Sequence, residues 1–154
     1  MAAHIATRLA RCPGAVHPFG MATTALPPRI LLVMPDQWPR ALLRAALREV
    51  GYDASGTRAL KAALYQAAPD SARGPVRLVV LDQEALPEDE GSDLEALRSR
   101  TFTAPIVLLA PATRRVREGP WTRVIRRPTS IAALVQEIES LIPLAPEARH
   151  PIDW

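Results

Sequence analysis

A chain of 154 residues, 48% hydrophobic and 23% charged, has the size and composition of one globular domain with a full core. Its net charge of +3 is too small to imply a nucleic-acid partner by itself, and its single cysteine, Cys12, excludes an intramolecular disulfide, a thiol cluster for zinc and a CxxC redox pair. Of the 19 basic residues only Lys61 is a lysine, so lysine-based catalysis is confined to one position, because a guanidinium serves poorly in proton transfer.

Residues 1–28 carry Pro13, Gly14, Pro18, Gly20, Pro27 and Pro28 and no acid, which predicts a flexible N-terminal arm outside the fold. Arg8 and Arg11 in an acid-free start faintly resemble an organellar targeting segment, and Met21 is an alternative start of translation. Short apolar runs then alternate with helical patterns over a domain predicted to span residues 29–144. Ile30 to Val33 reads as the first strand, followed by a helix from Trp38 to Val50 with Leu43, Leu47 and Val50 on one stripe and Asp36 placed to cap it. Tyr52 to Ser55 reads as a strand and Ala59 to Ala67 as a helix.

Leu78 to Leu81 is a continuous apolar run that ends on Asp82, and Ser92-Asp93-Leu94-Glu95 reads as a capping box opening the third helix. Ile106 to Leu109 and Arg123 to Ile125 are the last strands. Gly119-Pro120 interrupts the connection between them, so a helix there is predicted to be shortened or missing. Ile131, Leu134, Val135, Ile138, Leu141 and Ile142 follow Thr129-Ser130 at helical spacing until Pro143, and residues 145–154 are predicted to form a loose tail.

Continuous apolar strands separated by helices predict an α/β fold, a doubly wound, five-stranded parallel sheet. Such sheets carry their sites at the C-terminal ends of the strands. The positions that matter are therefore Met34 to Asp36, Asp82 to Glu84, Ala110 to Thr113 and Arg126 to Pro128. His4, His17 and His150 are too scattered for a metal cluster or a Ser/His/Asp arrangement, and no glycine-rich phosphate loop follows any strand. No apolar run approaches the roughly 20 residues needed to cross a bilayer.

From Arg29 to about Leu144 the chain resembles the response-regulator receiver domain family (CheY-like). Asp82 aligns with the phosphoacceptor, Pro87 and Gly91 with the proline and glycine after it, Pro105 to Leu109 with strand four, and Arg127-Pro128 with the lysine-proline pair after strand five. The resemblance implies a cytoplasmic, bacterial-type two-component signalling protein that acts through a protein partner rather than as an enzyme.

Against that pattern, Met34 and Pro35 stand where the family holds magnesium with acids, Ala110 where it has a hydroxyl, Val124 where it has an aromatic switch, and Arg127 where it has lysine. Only Asp36 remains near the metal position. Each preorganised electrostatic group lost typically costs about 3 kcal/mol of barrier. The sequence therefore predicts an atypical, degenerate pseudo-receiver, acting as a phosphorylation-independent protein-interaction module with no cofactor, no DNA-binding domain and no membrane span.

Two alternatives stay open. In one, Asp82 is a genuine phosphoacceptor, with Mg2+ held by way of Asp36 or Glu84. In the other, Arg114, Arg115, Arg117, Arg123, Arg126 and Arg127 with Trp121 bind an anionic nucleotide, a cyclic dinucleotide included, or a docking protein. Arg123, Arg126 and Arg127 are expected to lead any anion binding. The plain reading is a solvated basic face paired with Glu84, Glu88, Asp89, Glu90, Asp93 and Glu95. Loss of a helix before Arg123 leaves an apolar rim to be hidden by the last helix, by Trp121 or by another subunit, and predicts association through this face, as a homodimer or a hetero-complex.

Overall fold

A computed structural model describes residues 25–88 and 91–146. The strands are β1 (Arg29–Val33), β2 (Asp53–Thr57), β3 (Val76–Asp82), β4 (Ile106–Ala110) and β5 (Arg123–Arg126). The helices are α1 (Gln37–Val50), α2 (Leu60–Gln66), α3 (Ser92–Arg100) and α4 (Ile131–Leu141), with a 3-10 turn at Gln83–Ala85. All strands run parallel in the order β2-β1-β3-β4-β5, which confirms the doubly wound α/β prediction.

Every residue of β1 and β4 is buried, and in β3 only Arg77 is exposed, as expected of strands covered on both faces. Alternation divides the core in two. Ile30, Leu32, Val80, Val107 and Leu109 pack against Leu43 and Leu47 of α1 and Leu134 and Ile138 of α4. Leu31, Val33, Val79, Leu81 and Leu108 pack against Leu60 and Ala63 of α2 and Leu97 of α3 on the opposite face.

Several local expectations are corrected. The β2 strand runs to Thr57 because its ladder with β1, Arg29 to Asp53 through Val33 to Thr57, outweighs the weak strand preference of Gly56. Gly56 has a packing reason: a Cβ there would lie 2.9 Å from Cγ of Arg40, which crosses over it. The capping box at Ser92 does not form. Gly91, at φ 84°, occupies the N-cap position and its carbonyl accepts the Glu95 amide, so Ser92 is already the first helical residue. Asp36 holds the N-cap position of α1 without a side-chain capping bond, whereas Ser130 does cap α4 by accepting the Ala133 amide at 3.1 Å.

Between β4 and β5, residues 111–122 form no helix, in line with the prediction from Gly119-Pro120. This strap covers the sheet by inserting Val116 and Trp121 against the second core cluster. The Trp121 indole N–H donates to the Arg117 carbonyl at 2.7 Å, and its ring lies so close to Gly119 that any Cβ there would collide with it.

At the other end of the sheet Arg29 is buried and donates to the carbonyls of Gly74 and Gln66 at 2.8 and 2.7 Å. The Pro28 carbonyl accepts the Asp53 amide at 3.0 Å, which fixes the last residue assigned to the arm. Cys12, Met21 and the three histidines lie outside the described residues, as do Asp89, Glu90 and most of the tail.

Candidate functional site

Parallel register brings the site together. Val33 pairs with Leu81 and Leu81 with Leu108, so Met34, Asp82 and Ala110 arrive at one edge of the sheet, where β1 and β3 end side by side. Asp82 is fully buried. One carboxylate oxygen accepts the Glu84 amide at 3.0 Å, and the other is in an ion pair with Arg127. Arg127 is held for this contact by its own backbone, whose N–H donates to the Ala110 carbonyl at 2.9 Å, and the Arg127–Pro128 peptide is cis. Neither oxygen of Asp82 is left without a partner.

The position of the family's metal-binding acids is filled differently. Met34 is buried, with its side chain in the first core cluster. Its carbonyl accepts a hydrogen bond from Arg40 at 2.6 Å, and the Pro35 carbonyl accepts from the same nitrogen at 3.2 Å. A cation of the protein therefore sits on the backbone oxygens at the end of β1.

Magnesium takes about six oxygen ligands and strongly prefers carboxylates and phosphates. Here Asp82 is committed to Arg127, Arg40 holds two carbonyls and Asp36 is an isolated exposed acid. Among the described residues no group of three His, Cys, Asp or Glu side chains is arranged to hold a metal ion. The donor set does not fit magnesium.

Arg40 was not singled out by the sequence reading. Its signal is a cation near the start of a helix, where the macrodipole disfavours positive charge and some other contact must hold it. Gln83 falls within the span Asp82 to Glu84, but its role was not read from the sequence. Buried beside Asp82, it donates to the Arg115 carbonyl at 2.9 Å and accepts the Arg117 amide at 3.1 Å, pinning the strap to the end of β3. A glutamine in a turn leaves no periodic trace from which this could be read.

The arginine segment proves to be largely engaged within the chain. Arg123 pairs with Glu137 of α4, Arg126 donates to the carbonyls of Pro111 and Arg114 at 3.1 and 2.7 Å, Arg117 donates to the Pro87 carbonyl at 2.8 Å, and Arg127 holds Asp82. These contacts take up part of the donor capacity of Arg123, Arg126 and Arg127, the residues expected to lead any anion binding. Arg114 and Arg115 are the exposed ones whose guanidinium groups have no partner among the described residues. Pairing with the acidic cluster is not seen among its described members, of which Glu95 bonds Arg98 within α3.

Val124 lies beside Leu108 on the second face and is 38% exposed. Far from this site, Asp53 and Arg73 form a two-pronged ion pair at 2.8 and 2.9 Å, and the hydrogen bond from Arg73 holds the Asp53 carboxyl below the usual carboxylate range. Burial, then the charge of Arg73, lowers the pKa of Arg29.

No protein-family model matches the chain. No curated protein matches it. Solved structures do. The chain is similar to the non-phosphorylated HemR receiver domain from Leptospira biflexa, at 26% identity and a TM-score of 0.60, over 77% of this chain and 96% of that one. It is similar to the chemotaxis protein CheY4 of Vibrio cholerae, at 17% identity and a TM-score of 0.57, over 75% of this chain and 99% of that one. The receiver domain of the hybrid histidine kinase CckA matches at 21% identity and a TM-score of 0.57, over 73% and 97%. The fold is that of response-regulator receiver domains. Among the described residues no helix is long and apolar enough to cross a membrane.

Proposed function

We propose that this chain is a degenerate receiver, a cytoplasmic protein-interaction module of a two-component-type signalling system whose state does not depend on phosphorylation of Asp82. The observation that carries the reading is the double occupation of the site by the chain's own cations. Arg127 takes the Asp82 carboxylate, and Arg40 takes the carbonyls of Met34 and Pro35. Phosphoryl transfer relies on positioning and on neutralising oxygen charge. In this site the charge-neutralising groups already neutralise the protein's own oxygens.

Signalling through a protein partner is what the likeness to the HemR and CckA receiver domains supports. No residue is proposed to be catalytic. The second reading, a working phosphoacceptor, is favoured by the place of Asp82 at the end of β3 with a cation beside it.

The test is incubation with acetyl phosphate and Mg2+, read by intact mass. The expected result is no phosphorylated species and unchanged partner binding by Asp82→Asn. Stoichiometric, magnesium-dependent labelling that Asp82→Asn abolishes would overturn the reading. A variant carrying Met34→Asp, Pro35→Asp, Arg40→Ala and Ala110→Thr should gain both magnesium binding and labelling.

A further inference from the structure

The strap leaves a cleft between itself and the N-terminal ends of α2 and α3. One hollow, of about 610 Å3, is walled by Leu60, Leu86, Leu94, Val116 and Trp121, with Arg115 and Arg117 at its rim. A second, of about 600 Å3, shares Leu86, Pro87, Arg115 and Arg117 with the first and continues to Arg114 and Pro111. The two make one elongated cleft. Its strap wall is preformed, since Gln83 grips the backbone of Arg115 and Arg117, and the Trp121 indole is tied to the Arg117 carbonyl.

We propose that this cleft binds an extended segment of a partner protein that carries one acidic residue among apolar ones, with Arg114 and Arg115 pairing its carboxylate and Leu86, Leu94, Val116 and Trp121 receiving its apolar side chains. The proposal rests on the reading of the chain as a protein-interaction module and names the chemistry of its partner.

Charge complementarity argues for acid. Arg114 and Arg115 are exposed guanidinium forks with no partner among the described residues, and a guanidinium matches a carboxylate with two parallel hydrogen bonds. Shape argues for an extended chain, because paired hollows along one wall suit successive side chains. The acids on the rim argue against a polyphosphate: Glu84 and Glu88 line the second hollow and Glu118 the first. Concentrated phosphate charge would meet them, whereas a single carboxylate fits between the arginines.

The experiment is selection of random peptides displayed against the full chain, followed by affinity measurement of enriched peptides. Enriched sequences should place an acid within a few positions of an aromatic or aliphatic residue. Arg115→Glu should weaken them about tenfold or more, as expected for loss of a charge-assisted hydrogen bond. Replacing the acid by lysine in the peptide should restore binding to Arg115→Glu, an effect that mere loss of structure would not produce.

Amide shift mapping of the wild type should centre on Gly91, Leu94, Val116 and the Trp121 indole. The proposal is overturned if nothing is enriched over a control protein, if enriched peptides lack acids, if Arg115→Glu binds them as tightly as the wild type, or if the shifts fall on Trp38 and Leu42 of α1. Its failure leaves the Asp82 experiment untouched. Phosphorylation of Asp82 with peptide binding intact would overturn only the proposed phosphorylation independence.

Discussion

The two faces of the sheet are covered by different means. On one, α1 and α4 lay leucine and isoleucine side chains directly on the strands, and polar contacts such as Arg40 over Gly56 and Arg123 with Glu137 lie at the outer strands. On the other, α2 and α3 do the same for β1 and β3, but beside β4 and β5 the cover is a strap that contributes two apolar side chains, Val116 and Trp121, and otherwise depends on polar ties. A helix satisfies its own backbone. A strap must borrow partners for its N–H and C=O groups, and Gln83, Arg126 and the Trp121 indole supply them. Helical cover is thus replaceable, provided its hydrogen bonds are replaced too.

Substitutions on each face sharpen this contrast. Leu47→Ala, on the fully buried seam between α1 and the sheet, should cost about 3 kcal/mol in urea denaturation. Trp121→Ala should cost less, because the ring is only partly buried. Equal losses from the two would mean that the strap belongs to the core as firmly as a helix.

Gln83→Leu keeps the volume and removes the clamp, leaving the Arg115 carbonyl and the Arg117 amide unpartnered. About 1 to 2 kcal/mol is expected. Hydrogen exchange should show the loss concentrated in residues 111–122, and a loss spread evenly over the sheet would contradict the local role given to this side chain.

Smallest is the effect of the Asp53–Arg73 pair, which serves as a control remote from the strap. The Asp53 pKa is lowered in the fold. Its contribution is therefore fully present above pH about 4, the ordinary range of an aspartate, and is lost as pH falls through the lowered folded value. Both side chains are partly exposed, so Arg73→Gln should remove under about 1 kcal/mol at neutral pH and flatten the dependence at low pH.

The sheet and the last helix were legible because their signal is apolar and local: continuous runs for β1, β3 and β4, helical spacing between Ser130 and Pro143 for α4. Landmark order also brought Asp82 and Arg127 into one site. What could not be read was which oxygens the cations hold. Arg40 reaching back to Met34, and Gln83 bridging to Arg115, are single polar contacts made by the folded chain, and nothing in the spacing of residues encodes them. Ser92 misled because a glycine in the left-handed region made the turn that a capping serine was expected to make.

The margins of the sheet bear on how these molecules behave when crowded together. An open strand offers its unpaired backbone to any other chain, and long apolar ones seed aggregates. At one margin β5 has 4 residues and begins and ends with arginine. At the other, β2 reads Asp-Ala-Ser-Gly-Thr, with an acid at its start and a glycine near its end. Charge, brevity and glycine blunt both margins as templates, so the apolar strands between them stay sheltered from intermolecular zippering.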